Sequence, residues 1–161
     1  MKVSGYSFSD SLIPTITGGV YSAGDALGNE MVIDFGLGGK VDNHSAFIIQ
    51  SISVVDQAKQ SAATDLFFFN ASVTASADNA AADFTDAQLK SNFLGHVVIA
   101  AADYGALNDN SVATVRNIGL QLKPEVGGTD FKIYCYAVTR GTPTYVTTTD
   151  LQFNFHFAAD L

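Results

Sequence analysis

The chain has 161 residues, 47% of them hydrophobic and only 15% charged, with a net charge of −8. That is material for one well-filled domain, and the sign of the charge disfavours phosphate backbones and anionic bilayers, so neither nucleic acid nor membrane is an expected partner. No run of about 18 apolar residues is present to span a bilayer, and the single cysteine, Cys135, has no second thiol in the chain with which to bond.

Residues 1–20 show no sustained period and are punctuated by Ser, Gly and Pro14, which reads as an extended N-terminal arm ahead of a β-sandwich domain over 21–161. "NEMVIDF" (29–35) alternates, with Met31, Ile33 and Phe35 on one face, and "GLGG" closes it. "AFIIQSISVVD" (46–56) begins apolar on both faces and then admits Ser and Gln, the pattern of a strand buried on both sides at one end. "DLFFFN" (65–70) is a short apolar strand. The Ala-rich stretch 71–93 is the least strand-like, and in "TDAQLKSN" Thr85 or Asp86 is placed to cap one or two helical turns. "LGHVVIA" (94–100) is a strand, "YGALNDNS" (104–111) a loop, and "ATVRNIGLQL" (113–122) a strand with Ile118, Leu120 and Leu122 on one side. "PEVGGTD" turns the chain into "FKIYCYAVTR" (131–140), and "GTPTY" leads to "LQFNFHF" (151–157), whose Leu151, Phe153, Phe155 and Phe157 share a face.

Seven or eight strands with one short helical segment and no long crossover helices imply antiparallel pairing. The expected fold class is therefore all-β: an antiparallel β-sandwich of jelly-roll type with an extended N-terminal arm. The Phe row of the last strand belongs inside, against Ile118, Leu120 and Leu122.

Candidate chemistry is sparse. "GLGGK" (36–40) lacks phosphate-loop spacing, since Val41 follows the Lys, and reads as a glycine turn. His44, His96 and His156 are each more than fifty residues apart, without metal-ligand spacing. His96 reads as a hydrogen-bonded core residue and His156 as solvent-facing or interfacial. Asp78, Asp83 and Asp86, and separately Asp103 and Asp109, are acidic clusters without a calcium-loop pattern, and serve turns and caps on that reading. Cys135, between Tyr134 and Tyr136, has the setting of an inert packed thiol. "NHS" (43–45) and "NAS" (70–72) match the glycosylation sequon. No G-x-S-x-G occurs, and neither an enzyme nor a cofactor is expected.

Five segments together carry a resemblance: "IPTITGGVYSAGDALG" (13–28), "IIQSISVVDQAKQSAATDLFFFN" (48–70), "SADNAAADFTDAQL" (76–89), "NDNSVATVRNIGLQL" (108–122) and "AVTRGTPTYVTTTDLQF" (137–153). In flavour and order the chain resembles small virion structural proteins of tailed bacteriophages, most of all capsid decoration or cement proteins. The resemblance implies a non-enzymatic protein on the outer face of the capsid, whose partners are its own copies, as a homotrimer, and the major capsid protein. No functional residue comes over with it. From the residues themselves, Tyr6, Phe8, Leu12, Ile13 and Pro14 of the arm are the candidate oligomer or capsid contacts. A tail- or fibre-associated β-sandwich module binding a host-surface glycan is the alternative; it lacks the Trp that sugar platforms favour, with Tyr104, Tyr134, Tyr136 and Tyr145 in its place.

Overall fold

The computed structural model describes residues 6–38, 46–125 and 130–159. In chain order the elements are β1 (Tyr6–Leu12), β2 (Gly19–Val20), β3 (Met31–Gly38), β4 (Phe47–Asp56), β5 (Thr64–Phe69), α1 (Asp86–Asn92), β6 (Phe93–Ile99), a 3-10 turn (Ala101–Asp103), β7 (Tyr104–Ala106), β8 (Ser111–Leu122), β9 (Asp130–Thr139), β10 (Thr144–Tyr145) and β11 (Leu151–Ala159). They form a five-stranded sheet, β1-β11-β4-β8-β7, a four-stranded sheet, β3-β9-β5-β6, and a ribbon of β2 and β10. Every strand pairing is antiparallel. Set the short β2, β7 and β10 aside, and the eight long strands lie in chain order 1-8-3-6 in one sheet and 2-7-4-5 in the other. That is the order a long hairpin takes when it rolls up into two facing sheets, and it makes the fold a jelly roll.

The stretch read as an arm contains the first strand of this roll. β1 pairs with β11 without a register shift, from Tyr6 opposite Ala159 to Leu12 opposite Phe153. An edge strand needs only one hydrogen-bonded neighbour, and here that neighbour comes from the far end of the chain, where no local pattern announces it. "YGALNDNS" likewise holds a short strand, since Tyr104–Ala106 pairs with Ser111–Ala113 as a hairpin at the opposite edge.

The core lies between the two sheets. Phe153, Phe155 and Phe157 are buried on the inner face of β11. Across the gap Phe155 meets the ring of Phe68 edge-on at 6.1 Å, and Phe157 meets Phe35 edge-on at 5.2 Å. Phe35 stacks on Phe47 at 3.6 Å, and Leu122, with half-buried Ile118 and Leu120, lines the same space.

β4 corrects one expectation. It is not buried on both sides at its start, because Ile48 is exposed. A register shift falls between Ile49 and Ser51, where β8 opposes one residue, Gln50, with three, Asn117, Ile118 and Gly119. The irregularity moves the inward phase from Phe47 and Ile49 to Ile52 and Val54, so all four reach the same core. Asn117 (φ 57°) and Gly119 (φ 68°) adopt the left-handed backbone that the turn-out of β8 requires.

Thr85 caps α1 as the sequence suggests. Its hydroxyl accepts from the Gln88 N–H at 3.2 Å, and its own N–H donates to Gln88 Oε1 at 2.9 Å, a complete capping box. The segment leading to α1 covers part of the outer face of the four-stranded sheet. There Phe84 packs on Phe67, Phe69 and Tyr136 with ring centroids 5.0–5.6 Å apart, forming a second, smaller core.

Replacing Phe155 with Ala removes the inner partner of Phe68, and is expected to destabilise the domain by about 3–5 kcal/mol. His156→Ala, one residue away on the exposed side, is expected to change stability by less than about 0.5 kcal/mol. Chemical denaturation of both variants checks the face assignment. Equal losses would contradict it.

Candidate interaction surfaces

Among the described residues no group of three or more His, Cys, Asp and Glu side chains comes together to hold a metal. The individual candidates explain why. His96 is exposed on the outer face of β6, not in the core, with its ring stacked on Phe67 at 5.8 Å. The core reading rested on the apolar character of the strand, but Val97 and Ile99 are its inward residues and His96 between them faces out. His156 is exposed on β11, and Cys135 is fully buried, its thiol pushed well up by burial. Gly36–Gly38 continue β3 as strand rather than turning. Gly39, Lys40, His44 and the sequon at 43–45 lie outside the described residues.

The aspartates are dispersed among separate turns. Asp78 accepts from the Thr17 N–H and Thr17 hydroxyl, both at 2.8 Å, from the Tyr21 hydroxyl at 2.9 Å and from the Gly28 N–H at 2.5 Å. It binds the 76–80 loop to the loop that follows β1. Asp103 accepts from the Ala100 N–H and so holds the 3-10 turn, while Asp109 accepts from Asn108. Sequence reasoning missed Glu30, which accepts from the Ser72 hydroxyl, the Val73 N–H and the Tyr136 hydroxyl. Burial, reinforced by the Glu30 charge, pushes the Tyr136 hydroxyl far up.

One end of the sandwich is built from four loops knitted together. The Gln57 N–H donates to Asp150 O at 2.7 Å, Lys59 Nζ to Asn108 O at 3.1 Å, the Thr144 N–H to Gln60 Oε1 at 2.9 Å, and the Tyr21 N–H to Pro143 O at 2.9 Å. At its centre Asp56, the last residue of β4, is fully buried. Its Oδ2 accepts from the Ser61 N–H at 2.7 Å and from the Ser111 hydroxyl at 3.4 Å. Burial outweighs these bonds and raises the Asp56 carboxyl above the ordinary range. Burial and the Asp56 charge push the Tyr104 and Tyr145 hydroxyls far up. Burial also acts to raise Asp150, but hydrogen bonds from Thr147 and from the Val146 N–H outweigh it and leave that carboxyl below the ordinary range. Val20 and Val146 stand exposed on this end, at 66% and 80%.

The broad outer face of the five-stranded sheet is different in kind. Register places Ser9, His156, Ser51 and Arg116 in one row across β1, β11, β4 and β8, and Ser11, Asn154, Ser53 and Thr114 in the next. All are exposed or half-exposed. The Ser11 hydroxyl and Gln152 Nε2 both donate to Asn154 Oδ1, at 2.7 and 2.8 Å, and the Ser53 and Thr114 hydroxyls lie 3.2 Å apart. Small hydroxyl and amide groups therefore line these rows, with Arg116 and His156 their ionisable members.

The arm candidates divide. Phe8 packs on Phe35 at 5.1 Å and on Phe157 at 5.9 Å, Leu12 packs against the same core, and Pro14 is buried. Tyr6 contributes backbone pairing to Ala159. Ile13, at 49%, is the exposed apolar member.

No protein-family model and no curated protein matches the chain. Among solved structures it is similar to one of Desmodium yellow mottle tymovirus, with 13% identity over 100% of this chain and 86% of that one and a TM-score of 0.28. It is also similar to one of turnip yellow mosaic virus (10% identity, 98% and 95% covered, TM-score 0.31) and one of sacbrood virus of honeybee in expansion state II (10%, 94% and 81%, 0.26). At such scores the likenesses carry no weight for function.

Asp78→Ala removes the acceptor of four hydrogen bonds and is expected to cost about 2 kcal/mol. Asp83→Ala, exposed nearby, is expected to cost less than about 0.5 kcal/mol, and calcium is expected to leave the melting temperature of the parent protein unchanged. A calcium-dependent rise in that temperature would overturn the assignment of these carboxylates to turns.

Proposed function

We propose that this protein is a non-enzymatic structural protein of a bacteriophage virion, a decoration or cement protein seated on the outer face of the capsid. The observation that carries the reading is the charge-poor outer face of the five-stranded sheet, where Arg116 and His156 are the ionisable members of the two rows of hydroxyls and amides, on a chain whose net charge is −8. Charged residues are ordinarily what keeps a surface solvated and single. A face of small hydroxyls and amides instead suits broad contact with another protein, where depletion of charge marks the covered area. The segment resemblance to phage virion proteins points the same way. The fold alone does not choose, since jelly rolls serve capsids and lectins alike.

On this reading the partners are its own copies, as a homotrimer, and the major capsid protein. A closed threefold ring lets one patch on each subunit be covered by the next. Ile13 is the member of the first segment left free for such a contact, while Phe8, Leu12 and Pro14 fill their own domain. Deleting residues 2–12 would strip β1 from its sheet, so point substitutions make the cleaner test.

Wild-type protein, Ser53→Arg and Ile13→Asp are added to capsids lacking the protein, and occupancy is counted by cryo-electron microscopy. Wild type is expected to bind saturably and to sediment as a trimer. Both variants are expected to melt within about 2 °C of wild type, a shift of no more than about 1 kcal/mol, and to lose at least tenfold in occupancy. Wild type that ignores capsids but binds host-surface glycans would overturn the reading in favour of a tail or fibre module.

A further inference from the structure

We propose that Asp56 is a proton-sensing group at the loop-bearing end of the sandwich: with its proton on, it holds the 57–63 loop and the start of β8 together, and loss of that proton loosens them. This is independent of the virion reading.

The geometry is that of a carboxyl placed where its charge is poorly answered. Asp56 is 0% exposed, and among the described residues its Oδ1 is buried without a hydrogen-bond partner. Its other oxygen is the anchor of the loop, taking the Ser61 N–H, and Ser61 in turn donates its hydroxyl to Ser111 at 3.0 Å. Lys59 (φ 53°) and Ser61 (φ 49°) both take left-handed backbone there, a conformation that persists in non-glycine residues only when the surroundings hold it.

The groups around Asp56 offer no cation. β8 presents the hydroxyl of Ser111, β7 presents Tyr104, and β10 presents Tyr145. From β5, Thr64 is buried, and Asp65 is engaged with Arg140 Nε at 2.7 Å. Before β11, the Asp150 carboxylate is turned to the N–H groups of Val146 and Thr147, and Asp103 is turned to Ala100. Lys59, in the loop itself, reaches away to Asn108 O. Backbone N–H groups of the 58–61 turn and the Ser111 hydroxyl favour the charged form, but full burial with one oxygen unanswered and no cation beside it outweighs them, consistent with the upward shift.

The sign follows from linkage. A carboxyl whose folded pKa lies above its unfolded value leaves the folded state binding more protons, so stability falls as pH rises through the folded pKa. Asp150, shifted downward, acts oppositely: its contribution is present above the unfolded pKa and lost as pH falls through the folded one.

The test compares wild type with Asp56→Asn, which keeps the shape and stays neutral at every pH. Amide exchange at Ser61, corrected for its intrinsic pH dependence, is expected to lose at least tenfold in protection in wild type between pH 4.5 and pH 8, and to stay level in the variant. In wild type, the Asp56 carboxyl carbon followed by NMR is expected to titrate above the ordinary value of about 4. That second measurement stands even if the variant folds poorly. A titration midpoint at or below the ordinary value, or equal pH dependence of Ser61 protection in the two proteins, would overturn the proposal.

Discussion

The contact between the phenyl row of β11 and the opposite sheet is the constraint from which the rest of the molecule follows. Phe153, Phe155 and Phe157 occupy alternate positions of one strand, so they present a ridge that only a second apolar sheet can cover. Phe35 on β3 and Phe68 on β5 supply that cover, each meeting the ridge edge-on. Edge-to-face geometry sets the positive rim of one ring against the negative face of another, and adds about 0.5–1.5 kcal/mol per pair to the burial of area. β11 is also hydrogen-bonded on both sides, to β1 and to β4. β11 thereby fixes β1, and the roll closes through that pairing.

Keeping that core continuous requires the neighbouring strands to hold phase with β11 along their length. β4 and β8 are 10 and 12 residues long, and the inward apolar residues of each change parity along the strand, which requires a phase correction. The irregularity at Gln50 and Asn117–Gly119 supplies it. Without the irregularity, the phase set by Ile52, Val54 and Ala113 would turn Phe47, Ile49, Leu120 and Leu122 toward solvent and bring Ile48 and Gln121 into the core.

What could be read from the sequence was local. The Phe row, the apolar "DLFFFN" and the Thr85 cap each depend on residues within a few positions, and each stands where the pattern puts it. What could not be read depended on distant partners. In β1 the charged Asp10 stands between Phe8 and Leu12 on one face, which breaks the apolar period, and nothing nearby shows that β11 waits to pair with it. His96 looked buried because its strand is apolar, but the outward positions of β6 are apolar too, Val98 among them at 51% exposure. The surface was the least legible part. Ser9, Ser51 and Arg116 come from three separate stretches, and only register reveals them as one row.

The acidity of the chain has an architectural source as well. Glu30, Asp78, Asp103 and Asp150 each accept from one or more backbone N–H groups in loops that have no ladder to satisfy them. A carboxylate is a compact acceptor with room for several donors, so it can replace a missing carbonyl partner where the chain turns sharply. Loops of this kind accumulate negative charge for reasons of folding. The sheet, whose backbone is satisfied strand to strand, has no such need. The contrast between acidic loops and a sheet face of hydroxyls and amides therefore arises from how backbone donors are satisfied.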